Sequence, residues 1–298
     1  MPSIQANMLN ALFRVIGRDT DPNHDYQAER EQSARSPVPK LPKNVVFEEI
    51  SLNGISAEKL TKPGNTKGWI FYIHGGGFTT GSAKERRMLC QYLVDKFGYN
   101  CISTNYRLAP ENKWPAMIED CFTAYCALEE MGIAAEEVVF AGESAGGTLV
   151  LSLGLMLKEK GMKQPKAILS FSPCVNQAEH YPSHFRNAKT DYMMKDAIAK
   201  GISDPVFGEN ATDEEKKNPL ASPIYGNFKG VAPIFISASD SEALLDDSLM
   251  LYAKLVKVRH KTELDLAHDV CHAYPMITMM PEAQKTLKKA IAFAEKYD

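Results

Sequence analysis

The chain has 298 residues, 44% hydrophobic and 24% charged, a balance that excludes disordered, collagen-like and coiled-coil chains and suits an α/β fold with a large core. A formal net charge of −3 leaves no strong positive field for nucleic acid, so none is expected as a partner. No apolar run reaches the roughly 18–20 residues that a membrane span needs, which argues against stable membrane insertion.

Met1 to Gly17 has no basic leading region, and Gln5, Asn7, Asn10 and Arg14 interrupt its apolar stretch. It does not read as a secretion signal, so a cytoplasmic protein is expected. Ile4, Met8, Leu12 and Ile16, with Leu9, Phe13 and Val15 beside them, recur at helical spacing and predict an amphipathic helix docked on its own protein. A membrane-surface helix is the alternative, weakened by the lack of Lys or Arg flanking the stripe. Residues 18–43 are polar and carry Pro22, Pro37, Pro39 and Pro42, a long connection with a short helix at Tyr26–Ser33. Val45–Leu52 and Ile55–Leu60 flank Asn53-Gly54, a dipeptide that favours a hairpin turn.

Strands and helices then alternate. Strands are expected at Trp69–Ile73, Asn100–Thr104, Glu137–Ala141, Lys166–Phe171, Pro233–Ala238 and Lys261–Leu266. Most are apolar runs without clean alternation, as in strands covered on both faces. Helices are expected at about 84–97, 115–131, 145–160, 246–258 and 282–297, giving a mostly parallel sheet with helices on both sides. Residues 175–230 interrupt the alternation. A structureless loop of that length is unusual, so a helical insertion over the sheet edge is expected there. The six cysteines show no CxxC spacing and do not form a disulfide framework, and Cys271 reads as a packed thiol.

Gly142-Glu143-Ser144-Ala145-Gly146 follows an apolar strand and opens a helix, the context in which G-x-S-x-G presents a nucleophilic serine. Its glycines remove side chains that would clash at a sharp turn, and the helix start aims free N–H groups at developing negative charge. His74-Gly75-Gly76-Gly77-Phe78 ends another strand. Its backbone can stabilise an oxyanion, with donors expected from Gly76, Gly77 and Ala145. A phosphate loop would need G-x-G-x-x-G or a following Gly-Lys-Ser/Thr, which are missing. His74 reads as a residue that orients this loop.

HGGGF at 74–78, YRLAPE at 106–111 with Trp114-Pro115 and Glu119-Asp120, and GESAGG at 142–147 together resemble the hormone-sensitive-lipase-like esterases of the α/β-hydrolase superfamily, over roughly residues 45–298. The resemblance implies an α/β-hydrolase core, a helical cap, a Ser-acid-His triad, no cofactor and hydrolysis of carboxylic esters of short or medium acyl chains. It places the cap in the N-terminal segment, read here as 1–43, and in an insertion, read here as 175–230; the catalytic domain is then 44–298. Glu143 departs from the Asp usual in the family.

In the family's chain order the histidine comes last, in a loop before the final helix and two positions before a large apolar residue. His272-Ala273-Tyr274 fits that pattern better than His260 or His268. His268 and His272, four apart, would suit metal ligation on a helix, but a loop setting without companion ligands argues for no metal. The family's acid-Pro-(Leu/Met)-x-Asp pattern, aligned on Asp246, puts the acid at Glu242, thirty residues before His272, with Asp240 as the alternative and a Glu acid as a second departure. Tyr106-Arg107 and Asp120 read as supports of the core loop. The expected partner is a small-molecule ester, with a homodimer left open. Amides, lactones or peptides as substrates, and a non-catalytic receptor on the same fold, are the competing readings.

Overall fold

The computed structural model describes residues 1–16, 24–38, 40–201, 204–208 and 210–297. In chain order its principal elements are α1 (Ile4–Ile16), α2 (Tyr26–Arg35), β1 (Val46–Leu52), β2 (Ile55–Thr61), β3 (Trp69–Ile73), α3 (Ala83–Phe97), β4 (Asn100–Thr104), α4 (Ala116–Glu130), β5 (Val138–Glu143), α5 (Ala145–Glu159) and β6 (Ala167–Phe171), followed by the short helices α6 (Pro182–Arg186), α7 (Asp204–Phe207) and α8 (Asp213–Lys216), and by β7 (Ile234–Ser239), α9 (Leu245–Lys257), β8 (Thr262–Ala267) and α10 (Pro281–Ala294).

The strands form one eight-stranded sheet in the order β1-β2-β4-β3-β5-β6-β7-β8. Only the β1–β2 and β2–β4 pairs are antiparallel; β4, β3, β5, β6, β7 and β8 run parallel. Asn53 and Gly54 both take positive φ in the β1–β2 turn, which matches the sequence expectation for that dipeptide.

The pleat explains why the central strands read as unbroken apolar runs. Phe71, Ile73 and Phe140 enter one core, which α4, α5 and α9 cover with residues such as Ile118, Leu149 and Leu251. Their neighbours Ile70, Tyr72 and Val139 enter the opposite core with Leu89 and Leu93 of α3 and Leu287 and Ile291 of α10. β8, at the sheet edge, is only partly covered.

Each regular element expected from the sequence is present, with ends shifted by up to three residues; α2, capped at its start by Asp25, runs on to Arg35. Between β6 and β7, short helices, 3₁₀ turns and bends occupy the stretch expected to be helical, so its helical content is sparse. Of the polar connection 18–43, residues 18–23 and 39 lie outside the described residues.

The N-terminal helix docks on the protein as expected, but only through one side of its apolar stripe. Ile4, Met8, Leu12, Val15 and Ile16 are all exposed, while Ala6 and Asn10 are buried. Leu9 and Phe13 pack against Val270, Tyr274 and Met280. Asn10 Nδ2 donates to the Asp269 carbonyl at 3.0 Å, and the Ser3 N–H and hydroxyl both donate to Glu282. The helix is attached by Leu9 and Phe13 together with polar anchors that hydrophobic periodicity does not register. All six cysteines are free. Among the described residues, no helix is long and apolar enough to cross a membrane.

Phe140 lies at the centre of the first core, with ring centroids 5.1 Å from Tyr125 and 5.9 Å from Phe71. Phe140→Ala should cost about 3–5 kcal/mol of folding stability, read as a lowered urea midpoint with an unchanged slope.

Candidate active site

Parallel register aligns the carboxyl ends of β3, β5, β6, β7 and β8: Ile73 pairs with Gly142, Glu143 with Phe171, and Ser239 with Ala267. In open α/β sheets the loops beyond these ends form sites.

β5 ends at Glu143 and α5 starts at Ala145, so Ser144 alone makes the turn, at φ 54° and ψ −122°. This is the left-handed side of the map, where a non-glycine residue carries strain of order 1–3 kcal/mol. The surroundings hold it there. Ser144 N donates to the Phe171 carbonyl at 2.8 Å, and Thr148 N donates to the Ser144 carbonyl at 3.0 Å. A Cβ on Gly146 would lie 2.0 Å from the Ile73 carbonyl oxygen, so only glycine lets the first turn of α5 sit against the end of β3.

Ile73 leads directly into His74-Gly75-Gly76-Gly77. His74 is buried, stacks on Tyr106 with centroids 4.4 Å apart, and hydrogen-bonds through Nδ1 to the Gly75 carbonyl at 2.8 Å. Burial lowers its pKa to about 4, so it stays neutral and braces the loop, as the sequence suggests. The Tyr106 hydroxyl donates to the His74 carbonyl at 3.0 Å, and Arg107 grips Asp120 through Nε and Nη2. Gly76 and Gly77 line the same cleft as Ser144. Among the described residues, their N–H groups take no protein acceptor. Ala145, the first residue of α5, has an N–H with no acceptor inside its helix.

His272 lies beyond β8. Its Nδ1 hydrogen-bonds Glu242 Oε2 at 2.8 Å, and both side chains are buried. The other Glu242 oxygen accepts from Ser239 N at 3.1 Å. Among the described residues, His272 Nε2 is buried without a hydrogen-bond partner, and the residue lines the cleft that holds Ser144. Burial by itself lowers the imidazole pKa. The hydrogen bond and charge of Glu242, with the charges of Asp191 and Glu143 behind it, outweigh burial and hold the pKa above the ordinary value.

The two readings of the acid separate cleanly in space. Asp240 Oδ2 meets His268 Nδ1 at 2.6 Å in an exposed pair, and Asp240 Oδ1 accepts from Asp269 N. Each candidate acid therefore has its own histidine. His268 and His272 do not share a ligand position, and among the described residues no group of three or more His, Cys, Asp or Glu could hold a metal ion.

The cleft has a volume of about 270 Å³. Its apolar wall carries Phe13 and Ile16 from α1, with Met193, Met194 and Met276; Glu29 and Arg86 lie on its polar side. None of these wall residues is marked by a motif. Buried Asp191 is also invisible in the sequence: it accepts from Ala243 N at 2.8 Å and Met194 N at 3.0 Å, tying the segment after β6 to the loop that carries Glu242. The exposed turn at Thr190 hides its partners, which are some fifty residues away.

A profile of the alpha/beta hydrolase fold matches residues 70–276. An esterase of Acinetobacter venetianus is 29% identical over 256 residues, 85% of this chain and 83% of that protein. Esterase LipU of Mycobacterium tuberculosis is 29% identical over 268 residues, covering 87% and 89%. Among solved structures, EstE5 soaked with p-nitrophenyl butyrate superposes with a TM-score of 0.88 at 27% identity, covering 99% of each chain. An esterase from the bacterial hormone-sensitive lipase family superposes with a TM-score of 0.87 at 25% identity, covering 100% of this chain and 99% of the other. With a matched profile over more than half its length and esterase structures that superpose over nearly the whole chain, the chain belongs to the α/β-hydrolase fold family, as a hormone-sensitive-lipase-like carboxylesterase.

Proposed function

We propose that the chain hydrolyses carboxylic esters of short to medium acyl length through Ser144, Glu242 and His272. The observation that carries this reading is the buried Glu242–His272 bond, which leaves Nε2 unpartnered in the cleft that Ser144 and the glycine loop share. Glu242 holds the imidazole with its Nδ1 proton inward, so Nε2 is the basic nitrogen. As Ser144 Oγ attacks the ester carbonyl, Nε2 takes its proton. The carbonyl oxygen, now an oxyanion, is stabilised by the N–H groups of Gly76, Gly77 and Ala145. The C–O bond then breaks, and His272 returns the proton to the departing alcohol. Water repeats the sequence on the acyl-enzyme and releases the acid. No cofactor enters these steps.

The cap in this reading consists of residues 1–43 and 175–230, which supply Phe13, Ile16, Met193 and Met194 to the cleft. The volume of about 270 Å³ suits a small ester. Three unbranched methionines can shift to follow acyl chains of different length.

Ser144→Ala should reduce p-nitrophenyl butyrate hydrolysis by on the order of 10⁴-fold or more with the fold intact. It should also abolish labelling by a fluorophosphonate probe. A variant that keeps its activity removes the serine from the mechanism, and an unlabelled wild type favours a receptor over a catalyst.

Glu242→Gln should lower kcat by on the order of 10²–10⁴-fold, and Asp240→Asn by less than about threefold. His272 must be neutral to act as base, and its pKa is raised, so the acid limb of kcat/KM should lie above the ordinary imidazole value. Glu242→Gln removes the main raising contributions and should move that limb to lower pH. A pH–rate profile with an unmoved limb speaks against the assignment.

A series of p-nitrophenyl esters from acetate to laurate tests acyl length. kcat/KM should rise while added methylenes are buried, at about 0.8 kcal/mol each, peak between butyrate and octanoate, and fall by laurate.

A further inference from the structure

Glu143 has no part in the steps above, yet it is buried, sits next to the nucleophile, and gathers three donors from two other stretches of chain. Its Oε1 accepts from Gly75 N at 2.7 Å and from Arg86 Nε at 2.5 Å; its Oε2 accepts from the Tyr72 hydroxyl. The two loops also meet through their backbones. A Cβ on Gly75 would lie 2.5 Å from the Glu143 carbonyl oxygen and 3.0 Å from Ser144 Cβ.

We propose that Glu143 is a positioning residue that sets the spacing between the two halves of the oxyanion cradle, and that Arg86 offsets its charge there. This rests on the reading of Ser144 as nucleophile and of Gly76, Gly77 and Ala145 as donors. Two of those donors follow Gly75 on one segment, and the third follows Glu143 on another. Such a cradle works only if its N–H groups converge to about 2.7–3.1 Å from one oxygen position. The Gly75–Glu143 bond fixes the His74–Gly75 peptide, one residue before the Gly76 N–H, while the Glu143 backbone runs straight into Ser144 and Ala145. One side chain therefore ties both halves together.

Charge makes Arg86 necessary to this arrangement. A lone buried carboxylate beside the nucleophile would repel the oxyanion as it forms, and a poorly solvated site amplifies that repulsion. Arg86 lines the cleft and holds the same oxygen that Gly75 uses, so the pair presents little net charge to the reacting centre. Burial, followed by the nearby Glu143 charge, raises the Tyr72 phenol pKa well above its usual value, so its hydroxyl remains a donor.

The test uses Glu143→Gln and Tyr72→Phe in the full chain, with active sites counted by the p-nitrophenol burst. Wild-type labelling by the fluorophosphonate probe is checked first: if it fails, the serine mechanism fails, separately from this proposal. For Glu143→Gln, kcat per titrated site should fall about 10²-fold with KM within about threefold. The inhibition constant of a trifluoromethyl ketone, which forms an oxyanion on the serine, should weaken by the same factor. Tyr72→Phe, which leaves the Gly75 bond in place, should lower both quantities together by about threefold to tenfold. A merely structural role would lower thermal stability and leave these per-site constants alone. Unchanged kcat per site in Glu143→Gln, or a fall in kcat without weaker ketone binding, overturns the proposal. If Glu143→Gln does not fold, Tyr72→Phe decides alone, and unchanged constants overturn it.

Discussion

The contact on which the rest of the site depends is that between the end of β3 and the first turn of α5. Gly146 lies so close to the Ile73 carbonyl that a single added carbon would meet it at 2.0 Å. This approach brings the glycine loop alongside the serine turn, two stretches seventy residues apart in sequence. Parallel register does the coarse positioning, since β3 and β5 are adjacent and end level. The absence of side chains at the contact does the fine positioning. The strain at Ser144 is tolerated because Phe171, Thr148 and the flanking strand fix the backbone on both sides.

Around that contact, buried polar groups are arranged in pairs that hold loops rather than strands. Glu242 joins the β7 loop to His272, Asp191 joins the segment after β6 to the β7 loop, and Glu143 joins the serine turn to the glycine loop. A further buried pair, His184 Nε2 with Asp247 Oδ2 at 2.6 Å, fastens α6 to α9. Each leaves the carboxylate fully engaged, which is the condition for keeping a charge inside a protein. The site is thus made rigid by polar bonds placed on an apolar sheet. The cleft wall is built instead from flexible side chains, chiefly methionines.

The N-terminal helix shows how hydrophobic periodicity can find an element and still mistake its orientation. The stripe from Ile4 to Ile16 identifies a helix, because only that geometry repeats every three to four residues. The face that docks combines Leu9 and Phe13 with shape and hydrogen bonds: Ala6 permits close approach, and Asn10 and Ser3 reach partners more than two hundred residues away. No local pattern encodes those partners.

By itself the sequence determined the alternation of strands and helices, the hairpin at Asn53-Gly54, the serine turn and the glycine loop, because each depends on residues that are neighbours in the chain. The position of the histidine and the order of the candidate acids were legible only with the help of the family pattern. The tertiary structure decided which acid meets which histidine: Glu242 reaches His272 while Asp240 turns to His268, although the two acids are only two residues apart. It also decided that Glu143 faces Gly75, Tyr72 and Arg86, and that Phe13 and Ile16 line the cleft. The physical reason is common to all of these. A side chain's partner across a fold depends on where two loops leave the sheet and which way each turns, and that is settled by packing of the whole chain.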